Sequence, residues 1–118
     1  MNWPALVATA LTLWGWAFPP NIIVLDEPER PDAQWLAFTT FDDSACYIHV
    51  YSATWNPAYD PLKIVTHEVG HCLSLGHHDN EGIMNGVYGD YEFSVYDRML
   101  FWRVHPAPYR VAVPMVGQ

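Results

Sequence analysis

The stretch that most restricts what this chain can become is His67-Glu68-Val69-Gly70-His71-Cys72-Leu73-Ser74-Leu75-Gly76-His77. Two histidines four residues apart stand one turn apart on the same face of an α-helix, so both imidazoles can reach one metal ion. Glu68 is rotated by about 100° from His67, beside the metal rather than on it. A catalytic zinc takes three protein ligands and keeps a fourth position for water. His77 is the candidate third ligand, and reaching it requires a sharp reversal between Ser74 and Gly76. Gly76 is expected to supply a positive φ there.

The residue types suit hydrolysis. Neutral imidazoles hold Zn²⁺ without cancelling its charge, so the ion can acidify water and polarise a carbonyl. Glu68 is then placed to act as general base and, afterwards, as general acid. Competing donors are weaker. His78 adjoins His77, but the spacing favours His77, and His78 is expected to face solvent. Glu92 lies at a distance from His71 compatible with a third ligand, without the accompanying helix pattern. Asp79 and Glu81 read as solvated loop acids. His49 reads as a strand histidine hydrogen-bonded to its surroundings.

The rest of the chain frames this motif. With 118 residues and 51% hydrophobic content it is long enough for one domain with its own core. That core is expected over residues 3–104, and 105–118 read as a Pro-containing extended tail. The net charge of −8 disfavours nucleic acid or an anionic membrane as partner. Residues 3–18 read as an apolar helix, with Trp3, Val7, Ala10, Leu11, Trp14 and Phe18 at helical spacing, stopped by Pro19-Pro20. They make neither a convincing signal peptide nor a span. A secreted location is compatible with this but not specified.

Strands are expected over 21–25 (buried), 34–41 and 46–54, with an acidic turn at Asp42-Asp43-Ser44. Pro61 opens the metal-motif helix, roughly 62–74. Ser94 and Asp97 form a capping box that opens a last helix over 95–104. Cys46 and Cys72 lack C-x-x-C spacing, which excludes a cysteine zinc site. A disulfide between them is open, with two buried thiols the favoured reading.

The motif resembles that of the metzincin zinc peptidases, whose pattern is His-Glu-x-x-His-x-x-Gly-x-x-His followed by a methionine turn. Met84, in Glu81-Gly82-Ile83-Met84-Asn85, stands where that turn would be. Among metzincins the chain is most similar to the matrixin (matrix metallopeptidase-like) branch. Ala10-Leu11-Thr12-Leu13-Trp14 is similar to its first helix, and Met84-Asn85-Gly86-Val87-Tyr88 to its Met-x-Pro-x-Tyr run, which implies that Tyr88 walls a substrate pocket.

The resemblance implies an α+β fold: a small twisted sheet packed on an N-terminal helix and an active-site helix, with a C-terminal helix after the Met-turn. It implies a monomeric zinc endopeptidase acting on protein or peptide substrates, with the 46–54 strand as cleft rim. The alternative is a zinc-stabilised binding domain without activity. Three departures stand out: Ser74 replaces the family's turn glycine, Gly86 replaces the pocket proline, and no inhibitory cysteine segment is expected ahead of the domain. The spacing between strands is short for the structural zinc and calcium loops of vertebrate matrixins.

Overall fold

In a computed structural model of the chain, described over residues 1–16, 20–31 and 34–105, three α-helices and a three-stranded mixed sheet make up the fold, with the first two helices packed on the sheet. The expectations for Phe18, Pro19 and residues 106–118 lie outside the described residues. The fold is α+β, as expected.

Helix α1 runs Trp3–Trp14, with Asn2 accepting from the Ala5 amide at its start. It buries Val7, Ala10, Leu11 and Trp14, the face read from the spacing. It ends before the prolines. Gly15 takes a left-handed conformation (φ 79°, ψ 27°), and the amides of Gly15 and Trp16 bond back to the carbonyls of Thr12 and Leu11. That glycine-centred reversal closes a helix without any proline. Arg98 caps the same end from across the domain, donating to the carbonyls of Trp14 (2.9 Å) and Leu13 (2.5 Å).

The strands are β1 (Ile22–Asp26), β2 (Ala37–Phe41) and β3 (Cys46–Val50), in the order β1-β3-β2. β3 pairs parallel with β1, opposing Ile22 to Cys46, and antiparallel with β2, opposing Phe41 to Cys46. The β2–β3 turn is tied by Asp42, whose Oδ1 accepts from the amides of Ser44 and Ala45. Two expectations change here. β1 is an edge strand exposing Ile23 and Leu25 rather than a buried one. The 46–54 segment stops being a strand at Val50, bends into a short 3₁₀ turn (Ser52–Thr54), and is central. Because β3 is paired along both sides, it cannot rim a cleft. β2 takes that place.

Helix α2 (Pro61–Cys72) starts with the Asp60 side chain accepting from the Leu62 amide and with proline in its first turn. It buries Val65 and Val69 in one core with Trp14, Ile48, Val50 and Met84, while Ile64, also buried, lines the cleft. Trp14 Nε1 donates to the Thr66 carbonyl (2.9 Å), locking α1 to α2 one residue before His67. Helix α3 (Val95–Val104) opens with the reciprocal Ser94–Asp97 capping box the sequence announces. No helix among the described residues is long and apolar enough to cross a membrane.

Cys46 and Cys72 are joined, with their Cα atoms 5.8 Å apart, so the reading of two free thiols is overturned. The bond ties the start of β3 to the last residue of α2, closing a sequence separation of 26. Chain-entropy arithmetic for that loop gives about 3.5 kcal/mol. Denaturant titration with and without reductant should therefore separate the two forms by roughly that amount.

Candidate metal centre

His67 and His71 project from one face of α2, and the end of α2 brings His77 back to them. Its geometry differs from the expected one. Gly76 does not take a positive φ; Ser74 does, at 70°. The Leu75 amide bonds to the Gly70 carbonyl (3.0 Å) and the Ser74 amide to that of His71 (2.9 Å). This is the same reversal that glycine makes at the end of α1, with serine in the left-handed position. A Cβ in that conformation is strained. Ser74→Gly should consequently raise stability by about 0.5–1 kcal/mol in a denaturant titration, with the histidines undisturbed.

The three Nε2 atoms converge. His67 Nε2 lies 3.1 Å from His77 Nε2 and 3.2 Å from His71 Nε2. The other ring nitrogens are engaged by carbonyls: His67 Nδ1 donates to Ile83 O (2.6 Å) and His71 Nδ1 to Leu75 O (2.7 Å). A carbonyl can only accept, so the proton of each neutral ring sits on Nδ1 and the Nε2 lone pair faces inward. Burial, together with the neighbouring His71 and His77, pushes His67 down to about 4, and burial lowers His77 as well. Unprotonated nitrogens crowded on one point are a donor set suited to a single metal ion. Together they make a site that can hold one.

Glu68 is 5% exposed and stands beside the cluster, with Oε2 3.8 Å from His67 Nε2. Its Oε1 accepts from Thr39 Oγ1 of β2 at 2.8 Å. Burial raises its carboxyl above the ordinary value of 4.5, opposed by His71 and by the Thr39 hydrogen bond. Cluster and carboxylate open on a cleft of about 1090 Å³ bordered on one side by β2 and on the other by Gly86, Val87 and Tyr88. Tyr88 stands in that wall, its hydroxyl accepting from the Asp60 amide (2.9 Å) and donating to Asp90 (3.2 Å).

Met84 is fully buried, and the reason lies in α2. A Cβ at Gly70 would come within 2.5 Å of Met84 Sδ and 3.0 Å of Trp14 Cζ2. The glycine lets the thioether and the indole reach the helix backbone beside His71. The turn carrying Met84 is held by Asp97, which is wholly buried and accepts from the amides of Ile83 (2.8 Å), Met84 (2.9 Å) and Ser94 (2.8 Å) and from His78 Nε2 (2.7 Å). Gly82 leaves room for that carboxylate: its φ is 147°, and a Cβ there would come within 2.7 Å of both carboxylate oxygens.

His78 is therefore not a solvent-facing residue; its side chain is 9% exposed and serves Asp97. Glu92 is 90% exposed, 3.4 Å from Lys63, and takes no part in the cluster. Asp79 and Glu81 are exposed, as expected. His49 behaves as read from the strand, bonded to Thr40 and Glu27 and stacked on Phe38.

Gly86 packs directly against one of the histidines. A Cβ there would approach His77 Nδ1 to 2.8 Å and Cε1 to 3.2 Å, so the ring rests against bare backbone. Gly86→Ala should push His77 out of register and weaken metal binding by about tenfold or more, measured by competition with a chromophoric chelator.

Thr39, Gly70 and the turn-organising role of Asp97 escaped the sequence reading. Only Gly70 carried a local signal, since a glycine inside a helix implies close packing. A scan against known protein families returns no match, and a search of curated proteins returns none either.

Proposed function

We propose that this chain is a zinc-dependent endopeptidase of metzincin type, closest to the matrixin branch, acting on extended protein or peptide segments. One observation carries the reading: three inward-facing imidazole nitrogens, two of the separations being 3.1 and 3.2 Å, with a buried glutamate beside them at the floor of an open cleft. Tetrahedral zinc with Zn–N bonds of about 2.0–2.1 Å spaces its ligands about 3.3–3.4 Å apart, close to that separation. His67, His71 and His77 would hold the ion, leaving a fourth position toward the cleft. Once bound, zinc supplies Lewis acidity and a water acidic enough to react at neutral pH.

The protein's own groups do the rest. Glu68 takes a proton on Oε2, the oxygen facing the cluster, and returns it to the leaving amine. The Ile83 and Leu75 carbonyls keep His67 and His71 in the ligating tautomer. Among the described residues β2 pairs only with β3, so its outer edge offers backbone groups to an extended substrate by strand addition. The net charge of −8 disfavours nucleic acid and an anionic membrane surface as partners, and all three candidate ligands come from one chain.

Metal analysis combined with an unbiased peptide-library digest tests this. One zinc per chain and cleavage that chelator abolishes and zinc restores are expected. Full zinc occupancy without hydrolysis of any peptide would instead favour a non-catalytic binding domain.

A further inference from the structure

We infer that Thr39 is a positioning residue that fixes which oxygen of Glu68 acts as the base. The inference rests on the hydrolytic reading of the metal centre and deepens it. Thr39 lies mid-strand in β2, opposite Ile48, on the strand that borders the cleft. Its hydroxyl has one proton and two acceptors from Glu68 within reach: Oε1 at 2.8 Å and the backbone carbonyl at 3.4 Å. The shorter contact takes the proton, because 2.8 Å is an ordinary hydrogen-bond length and 3.4 Å is long for a hydroxyl donor.

A glutamate side chain has three rotatable bonds, and a buried one without a partner can turn either oxygen toward the metal. With Oε1 held by Thr39, the carboxylate plane is set and Oε2 faces His67 Nε2 at 3.8 Å. The helix carries the base and the sheet aims it. No other hydroxyl donates to this carboxylate among the described residues. Thr39 thereby couples the strand that would receive substrate to the group that would move the proton, across 29 positions of sequence.

The test uses the zinc-loaded full chain with Thr39→Val, which keeps the branched shape and removes the hydroxyl, and Thr39→Ser, which keeps the hydroxyl. Two quantities are read. The first is kcat and KM on a cleaved peptide. The second is the affinity for acetohydroxamic acid by calorimetry; this probe chelates the metal and hands a proton to a carboxylate beside it, without any turnover. For Thr39→Val, kcat should fall about tenfold with KM within about twofold, hydroxamate affinity should fall about tenfold, and zinc content should be unchanged. Thr39→Ser should stay within about threefold of the parent in both.

Parent-like values for Thr39→Val in both measurements would overturn the role. So would equal losses in Val and Ser, which would mark a packing contribution, or loss of zinc from Thr39→Val. If the parent cleaves no peptide yet hydroxamate affinity follows the Val and Ser pattern, the positioning stands and the peptidase reading falls. If the parent cleaves and the variants match it, the peptidase reading stands and the positioning falls.

Discussion

Glu68→Ala is expected to leave the metal bound and to lower peptide hydrolysis on the order of 10²–10⁴-fold, the usual contribution of a positioned general base. The two outcomes separate because, in the proposed mechanism, Glu68 moves a proton without holding the ion. The nearest ligand nitrogen is 3.8 Å from Oε2, and His67 and His71 are oriented by the carbonyls of Ile83 and Leu75, which the substitution does not touch. Removing the carboxylate also removes a charge from a 5% exposed position, so no buried ion is left without a partner. Stability should change little, with the Thr39 hydroxyl losing its acceptor but lying beside the cleft. Metal analysis and kcat/KM on the same preparation check both halves, and unchanged turnover would remove Glu68 from the chemistry.

A second large effect belongs to Asp97, which touches none of the three histidines of the cluster but holds the turn that contacts His67. Asp97→Ala should cost about 3–5 kcal/mol of stability, the range for breaking a buried, charged network. The loss is large because three backbone amides and His78 all spend their protons on one carboxylate, and alanine strands every one of them. Burial pushes this carboxyl up, but the amides of Met84, Ser94 and Ile83 and the His78 ring outweigh it and hold it below the ordinary value of 3.8. A carboxylate lowered in this way contributes its full stabilisation above the unfolded value, and the contribution is lost as pH falls below it. The turn it holds also presents Met84 to α2 and the Ile83 carbonyl to His67. Zinc affinity should fall together with stability, in contrast to Glu68→Ala, where neither does. Thermal unfolding and zinc competition on the same variant distinguish the cases; an Asp97→Ala protein with parent-like melting would mean the turn is held by something else.

These two residues show how differently the chain discloses its parts. Glu68 could be named from its neighbours in sequence, since a helix of known period puts it beside the two histidines. Asp97 could be named only as a cap. Its side chain does cap α3, through the local Ser94 bond, but the same carboxylate also gathers amides 13 and 14 residues upstream. That second role depends on where α3 docks, which no local pattern contains. Ser74 is an intermediate case: the reversal was legible, but not which residue would take the left-handed conformation. Placing Gly76 there followed propensity, whereas the hydrogen bonds to Gly70 and His71 put the strain on serine.

By itself, the sequence determined what short-range periodicity and capping chemistry can carry. These were the three helices, the buried face of α1, the proline and aspartate at the head of α2, the Ser94–Asp97 cap, and two histidines with a glutamate on a common helix. Each follows from bonds and contacts spanning a few residues, where backbone geometry leaves few options. Tertiary structure alone decided that β3 is central and β2 borders the cleft, that Cys46 and Cys72 are joined, that Gly70 admits Met84, and that Thr39 reaches Glu68. Those outcomes depend on which surfaces meet, and many pairings satisfy the same local pattern until the whole core is packed.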